Sequence, residues 1–295
     1  MKELIEKIKN VDFEITFGCN LNCLHCYNET HKVQNELSTQ KILDVIDEVK
    51  DVGFKEIHIN GGEPLAHQDV VKILERCNTN GLDTLLETNA TLLTLDRINE
   101  IQKFKNLKIR ASLDGSESVH NKIRRSLTPF NVYQTAVNNL VLAKKAEIPI
   151  QITTSVNRMN YNHLVEMVND LFSKDLDDIR LRLSMPSNSG YVHWQILKLD
   201  CKKFQEVESQ IREIKENYDI KFNSNSISRC PPKTEQKMFI TPHGNVKPYP
   251  FIDAYAGNVE DLSLREILKN YKNVIYPLKI EKMMTDYLKG LGMVD

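Results

Sequence analysis

Three of the chain's six cysteines crowd into eight residues: Cys19, Cys23 and Cys26 in the run GCNLNCLHCYNE. Thiolates at such spacing bind metal, either zinc or an iron–sulfur cluster. Structural zinc takes four ligands, commonly as two C-x2-C pairs, and the sequence supplies no matching second pair. A zinc loop would need a distant fourth ligand such as His25 or His31. A cubane cluster normally takes four thiolates, so three leave one iron open to a ligand that is not protein. The cluster reading is favoured over zinc and over three thiols close by chance.

The elements that must hold this loop follow from periodicity. VDFEITF (11–17) is β-rich and delivers the chain to Gly18. Ser38 caps a helix whose Ile42, Val45, Ile46 and Val49 share one face, closed by Gly53. Glu56–Asn60 and Asp83–Thr88 read as strands, as do 108–113, 149–155 and 178–184. Helices fall between them near 70–77, 131–146 and 162–172. Strand–helix alternation repeated about six times predicts a parallel sheet in an α/β fold, a partial (β/α)6 TIM-like barrel. Chemistry in such folds gathers where strands end. Cys77 falls in register with Val70, Ile73 and Leu74, and Cys201 precedes Phe204 at a helix start; both read as core.

Composition narrows the class. The 295 residues are 41% hydrophobic and 27% charged, with a formal net charge of −1. No global field recruits nucleic acid or an anionic membrane surface. The charged N-terminus has no apolar signal region, and no apolar run is long enough to span a bilayer. Six unevenly placed cysteines make no disulfide framework, so a reducing cytoplasm is the expected home.

The three-cysteine loop followed by an aromatic, Tyr27, resembles the radical S-adenosylmethionine enzymes. Further segments resemble that superfamily in the same order: NGGEP (60–64), ETNAT (87–91), SLDGSESVHNKIRRS (112–126) and ITTSVNRMN (152–160). Together they cover about residues 11–185. The resemblance implies that Cys19, Cys23 and Cys26 hold a [4Fe–4S] cluster whose fourth iron is chelated by S-adenosylmethionine. Reductive cleavage then releases a 5′-deoxyadenosyl radical that abstracts hydrogen from a substrate. It implies cofactor contacts from Tyr27, Gly61, Gly62, Glu63, Asn89, Ser112, Asp114 and Arg124. Gly61 and Gly62 would let backbone approach the methionyl group, and Glu63 would accept from its ammonium. Arg124 would pair with its carboxylate. Ser112, Asp114 and Asn89 are polar groups at strand ends for ribose or methionyl contacts. The plainer reading of the glycines and of Asp114-Gly115 is turn chemistry, and of Arg124 a solvated basic cluster.

After Ser184 the pattern changes to a loop, a helix at 201–218 and a hairpin turning at PHGN, with a short helix near 263–270. This tail resembles the SPASM or twitch extension of the superfamily, which gives the division expected here: a core of residues 1–200 and a small α+β subdomain of 201–295. Cys230 matches the first cysteine of that extension and Gly244 its turn. The next cysteine is replaced by Tyr249, and none follows. One cluster is therefore expected. The lone Cys230 thiol is either an ordinary buried hydrophobe or a hydrogen-atom donor to a substrate radical.

The expected substrate is a ribosomally made peptide undergoing epimerisation, cross-linking or a similar change. The alternatives are a small metabolite such as a sugar, nucleoside or haem-related carboxylate, or a non-catalytic iron–sulfur protein. No leader-binding domain precedes Val11, which counts against the peptide. An electron donor such as flavodoxin or ferredoxin is the expected protein partner.

Overall fold

The computed structural model describes residues 2–8, 10–26, 28, 35–183, 193–218, 238–248 and 254–275. Tyr27, Cys230 and Tyr249 lie outside the described residues.

In chain order the elements are α1 (Lys2–Ile8), β1 (Asn10–Glu14), β2 (Leu21–Cys23), α2 (Thr39–Val52), β3 (Glu56–Asn60), α3 (Val70–Thr79), β4 (Asp83–Thr88), α4 (Leu95–Ile101), β5 (Leu107–Ser112), α5 (Glu117–Ile123), β6 (Arg124–Ser126) and α6 (Val132–Lys145). There follow β7 (Ile150–Val156), α7 (Leu164–Phe172), β8 (Ile179–Leu183), α8 (Trp194–Leu197), α9 (Cys201–Asn217), β9 (Met238–Ile240), β10 (Asn245–Lys247), β11 (Gly257–Asn258) and α10 (Leu264–Ile275). A 3-10 turn at Pro64–Ala66 follows β3.

Nine strands form one sheet in the order β11-β10-β9-β1-β3-β4-β5-β7-β8, and β2 pairs with β6 apart from it. The six strands β1, β3, β4, β5, β7 and β8 run parallel with helical crossovers, the curved half-barrel expected from the alternation. Side chains alternate across these strands. Val11, Phe13, Ile57, Ile59, Leu86, Ile109 and Ile152 are fully buried and merge with the helix stripes into one core. The alternate positions carry Asp12, Glu14, His58, Asn60, Glu87, Arg110 and Gln151, so the inner face of the half-barrel is polar.

The helix caps match the sequence. Ser38 accepts from the Lys41 N–H at 3.2 Å, and Gly53 ends α2 at φ +109°. The tail's hairpin adds directly to the barrel sheet: β9 runs parallel to β1, with Val11 opposite Met238, and β10 returns antiparallel. Its turn residue Gly244 has φ +82°, where a side chain would be strained. Helix α10 packs against this hairpin and α2; Tyr271 is fully buried, and the Leu264 N–H donates to Glu48 at 2.5 Å. Among the described residues no helix is long and apolar enough to cross a membrane.

Candidate active site

The cluster loop leaves β1 through a short braced segment. Thr16 Oγ1 and the Phe17 N–H both donate to the Glu36 carboxylate, the latter at 2.6 Å, and the Gly18 N–H donates to Thr16 Oγ1 at 2.9 Å. On the outer side the Phe17 ring meets the His243 ring from the tail hairpin, centroids 4.7 Å apart. The Leu37 N–H donates to the Pro242 carbonyl at 2.8 Å. The tail therefore buttresses the entry to the loop.

The GGEP run docks on the same segment. Gly62 N donates to the Thr16 carbonyl and Glu63 N to the Gly18 carbonyl, both at 2.8 Å. A Cβ on Gly61 would sit 2.4 Å from Thr16 O; one on Gly62 would sit 2.4 Å from Gly18 O and 2.5 Å from Phe17 O. These glycines are required because two backbones touch, with Gly61 also at φ +136°. Both glycines make a close approach to the chain's own cluster loop.

Glu63 is also turned inward. It is 1% exposed, its Oε1 accepting from Thr88 Oγ1 at 2.6 Å and Leu65 N at 3.0 Å, its Oε2 from Asn89 N at 2.7 Å. Burial lifts its pKa above the usual carboxylate range against the pull of these donors. Its oxygens serve three donors of the protein, tying the end of β3 to the end of β4. The nearby acceptor on the polar face is Asn60, whose Oδ1 is buried without a hydrogen-bond partner in the structure.

Cys23 lies on β2 opposite Arg124 on β6. The three thiols pack around Leu21 and Val132. They interact electrostatically with one another and with Arg124. Among the cysteines whose side chains are described, the remaining one, Cys77, is buried in the α3 face. Burial pushes Cys19 and Cys23 up to about 12 and raises Cys26, so the metal-free thiols stay protonated and a bound metal displaces their protons.

Arg124 is committed on three sides. Its Nε donates to Asp114 Oδ2 at 2.6 Å, Nη1 lies 3.8 Å from Cys23 Sγ, and Nη2 lies 3.3 Å from His25 Nε2. Asp114 is fully buried and accepts from Ser155 N at 2.8 Å. Burial opposes its charge, yet the Arg124 guanidinium holds its carboxyl below the usual range. Burial also pushes His25 down to about 4 and His120 to about 3, so both stay neutral at pH 7. Asp114 thereby positions Arg124. Removing either partner of such a buried pair costs more than the pair gains over apolar residues.

Asn89 is held in a small amide network. Its Nδ2 donates to Asn20 Oδ1 at 3.0 Å and its Oδ1 accepts from Thr91 N and Oγ1. Asn20, inside the cysteine loop, donates in turn to Thr91 Oγ1 at 2.8 Å. Ser112 is half-buried at the end of β5, on the polar face.

Sequence reasoning passed over a second group deeper in the half-barrel. His58 bridges Asp12 Oδ1 through Nδ1 and Glu56 Oε1 through Nε2, both at 2.7 Å. Arg110 continues the row, donating to Glu87 at 2.7 Å and to Gln151 at 2.7 Å. Despite burial, the two carboxylate bonds raise His58 to about 9, so it is an imidazolium locked in an ion-pair ladder. The available signal was alternation: a parallel strand covered on both faces reads as a continuous apolar run, and VDFE, EIHIN and KIRAS do not.

The family model described as the Radical SAM superfamily matches residues 13–171. The chain belongs to the radical SAM superfamily. The AdoMet-dependent heme synthase of Methanosarcina barkeri is 26% identical over 292 residues, covering 88% of this chain and 82% of that protein. The PqqA peptide cyclase of Bradyrhizobium diazoefficiens is 28% identical over 185 residues, and the match spans 62% of this chain and 47% of the cyclase. Among solved structures, Streptococcus suis SuiB bound to S-adenosylmethionine superposes with a TM-score of 0.75 at 15% identity, covering 91% of this chain and 68% of SuiB. anSMEcpe with bound AdoMet gives 0.72 at 16% identity, covering 90% and 82%. These similarities establish the fold as the radical SAM partial barrel.

Proposed function

We propose that Cys19, Cys23 and Cys26 hold one [4Fe–4S] cluster and that this radical SAM enzyme modifies a ribosomally made peptide. When bound, the cluster supplies the electron that cleaves S-adenosylmethionine to the 5′-deoxyadenosyl radical. The observation that carries the assignment is the packing of the three thiols together around Leu21 and Val132, with the Arg124 guanidinium beside Cys23. Around it the chain's own groups bind and orient. Arg124 turns two N–H-bearing nitrogens toward the thiols and His25, where they meet the cofactor's carboxylate. Asn60 Oδ1, buried with no hydrogen-bond partner, is a further acceptor for the cofactor's ammonium beside Glu63. Ser112 and Asn89 flank the ribose and methionyl side.

The peptide reading is supported by the polar inner face and by the likeness to SuiB, a structure of which contains its precursor peptide SuiA. A second reading, a haem-related carboxylate, is favoured by the heme synthase, whose match extends over nearly the whole of both chains. The tail is read as a degenerate twitch-like subdomain beginning near residue 201, with no cluster of its own.

The test is anaerobic. Protein carrying a spectroscopically demonstrated cubane, given dithionite and S-adenosylmethionine, should form 5′-deoxyadenosine and methionine. Absence of both overturns the enzymatic assignment. Co-expression with a short peptide encoded beside the gene should change that peptide's mass or stereochemistry. Turnover of a tetrapyrrole propionate, with the peptide untouched, establishes the second reading instead.

A further inference from the structure

The outer side of the β2–β6 ribbon carries basic and apolar side chains together. Successive residues of a strand point to opposite sides. On β6, Arg124 faces inward to Cys23, so Arg125, opposite Asn22, faces solvent, and both Arg125 and Asn22 are exposed. Lys122 is exposed one turn earlier, and Arg125 Nε donates to its carbonyl at 3.4 Å. Directly after the hairpin, Leu127 is 54% exposed and Phe130 38%. Six large apolar side chains are exposed among the described residues, and two of them fall in this one short loop. The loop is not slack: Leu127 N donates to the Asn20 carbonyl, Thr128 N to Ser126 Oγ, and Asn131 caps α6, whose Val132 packs on the cysteines. The nearby acid, Glu117, accepts from Asn131 Nδ2 at 2.6 Å.

We infer that this patch (Lys122, Arg125, Leu127 and Phe130) is the docking surface for an acidic one-electron carrier protein of the flavodoxin type. The chemistry demands such a visitor, because each cleavage consumes one electron that the chain itself does not carry. One electron leaves the carrier's reduced flavin and enters the cluster, with no bond made or broken. A basic rim steers an acidic partner, and two apolar anchors hold it long enough for transfer. The position is apt: only the thickness of a two-stranded ribbon separates the patch from Cys23. The inference rests on the three cysteines holding the cluster, but the surface itself does not need the cluster.

Calorimetric titration of the reconstituted protein with a bacterial flavodoxin tests it. Binding should weaken with rising salt, and the pair Lys122→Glu and Arg125→Glu should raise the dissociation constant by about tenfold or more. Leu127→Ser with Phe130→Ser should also weaken binding, while all variants keep wild-type iron content and dithionite-driven cluster reduction. Reduction by flavodoxin hydroquinone should slow in step with binding. The Cys19, Cys23 and Cys26 triple alanine variant should still bind flavodoxin, so a chain that proved to lack a cluster would leave this readout standing. Undiminished flavodoxin affinity in the charge-reversed variant overturns the inference. So does loss of a self-associated species by the same substitutions with flavodoxin affinity unchanged, which makes the patch a contact between copies.

Discussion

Glu63 and Asn89 are joined by a 2.7 Å hydrogen bond from the Asn89 N–H to Glu63 Oε2, linking the ends of two neighbouring barrel strands. With Thr88 and Leu65 on the other oxygen, the carboxylate is a structural tie. Glu63→Ala leaves three buried donors without an acceptor and should lower unfolding free energy by roughly 3 kcal/mol or more, at about 1–3 kcal/mol for each stranded group. Urea denaturation of the metal-free protein measures this. An unchanged midpoint together with weaker S-adenosylmethionine binding would make the ammonium contact, not the tie, the role of Glu63.

Gly62 makes a sharper prediction. Its added methyl would sit 2.4 Å from the Gly18 carbonyl oxygen, so Gly62→Ala must push the cysteine loop off the GGEP segment. Iron retained after anaerobic reconstitution should fall well below that of the parent. Gly81→Ala is the control: its φ is also positive, at +64°, but the nearest atom is Lys50 Nζ at 4.0 Å. It should cost about 1 kcal/mol of stability and no iron.

His58 gives the protein a pH dependence. Its pKa is raised from 6.5 to about 9 through Asp12 and Glu56, which overcome burial. A raised folded pKa means that the stabilisation is complete below pH 6.5 and is lost as pH climbs through about 9. The side chain is 7% exposed, so the effect is little screened and amounts to as much as about 3 kcal/mol. Thermal denaturation of the parent should weaken over that window. His58→Gln should flatten the profile, and an unchanged slope in that variant would remove His58 from the account.

Iron analysis addresses the tail. Anaerobic reconstitution should load about four iron atoms per chain, one cubane. Changing Cys19, Cys23 and Cys26 together to alanine should bring iron close to zero. A cubane signal persisting in that variant would place a second cluster on Cys230 and its surroundings, with Tyr249 no obstacle to it.

The strands and long helices were legible because each carries its own periodic signal: Glu56–Asn60 and Asp83–Thr88 fall where alternation and turn residues put them. Helix α5 was not, since its seven residues lie inside a motif and bury only Val119, His120 and Ile123. The β2–β6 ribbon escaped for a similar reason, each strand being three residues long. At the site, residue types marked where chemistry gathers but not which way side chains turn. Glu63 and Asp114 were legible as important charges; that their partners are Asn89, Thr88, Leu65, Arg124 and Ser155 depends on tertiary contacts no local pattern encodes.

The pairing of Val11 with Met238 sets an order of events during synthesis. Strand β1 is made shortly before its neighbour β3, while its other edge has no strand to pair with until β9 is made much later. Closing so long a loop is slow compared with making a local helix. Phe17 and Leu37, which meet the same hairpin, wait equally long for His243 and Pro242. The cysteine loop therefore hangs from a strand whose second edge is covered only once β9 is made, and a chain released before that point carries the loop on an unfinished edge.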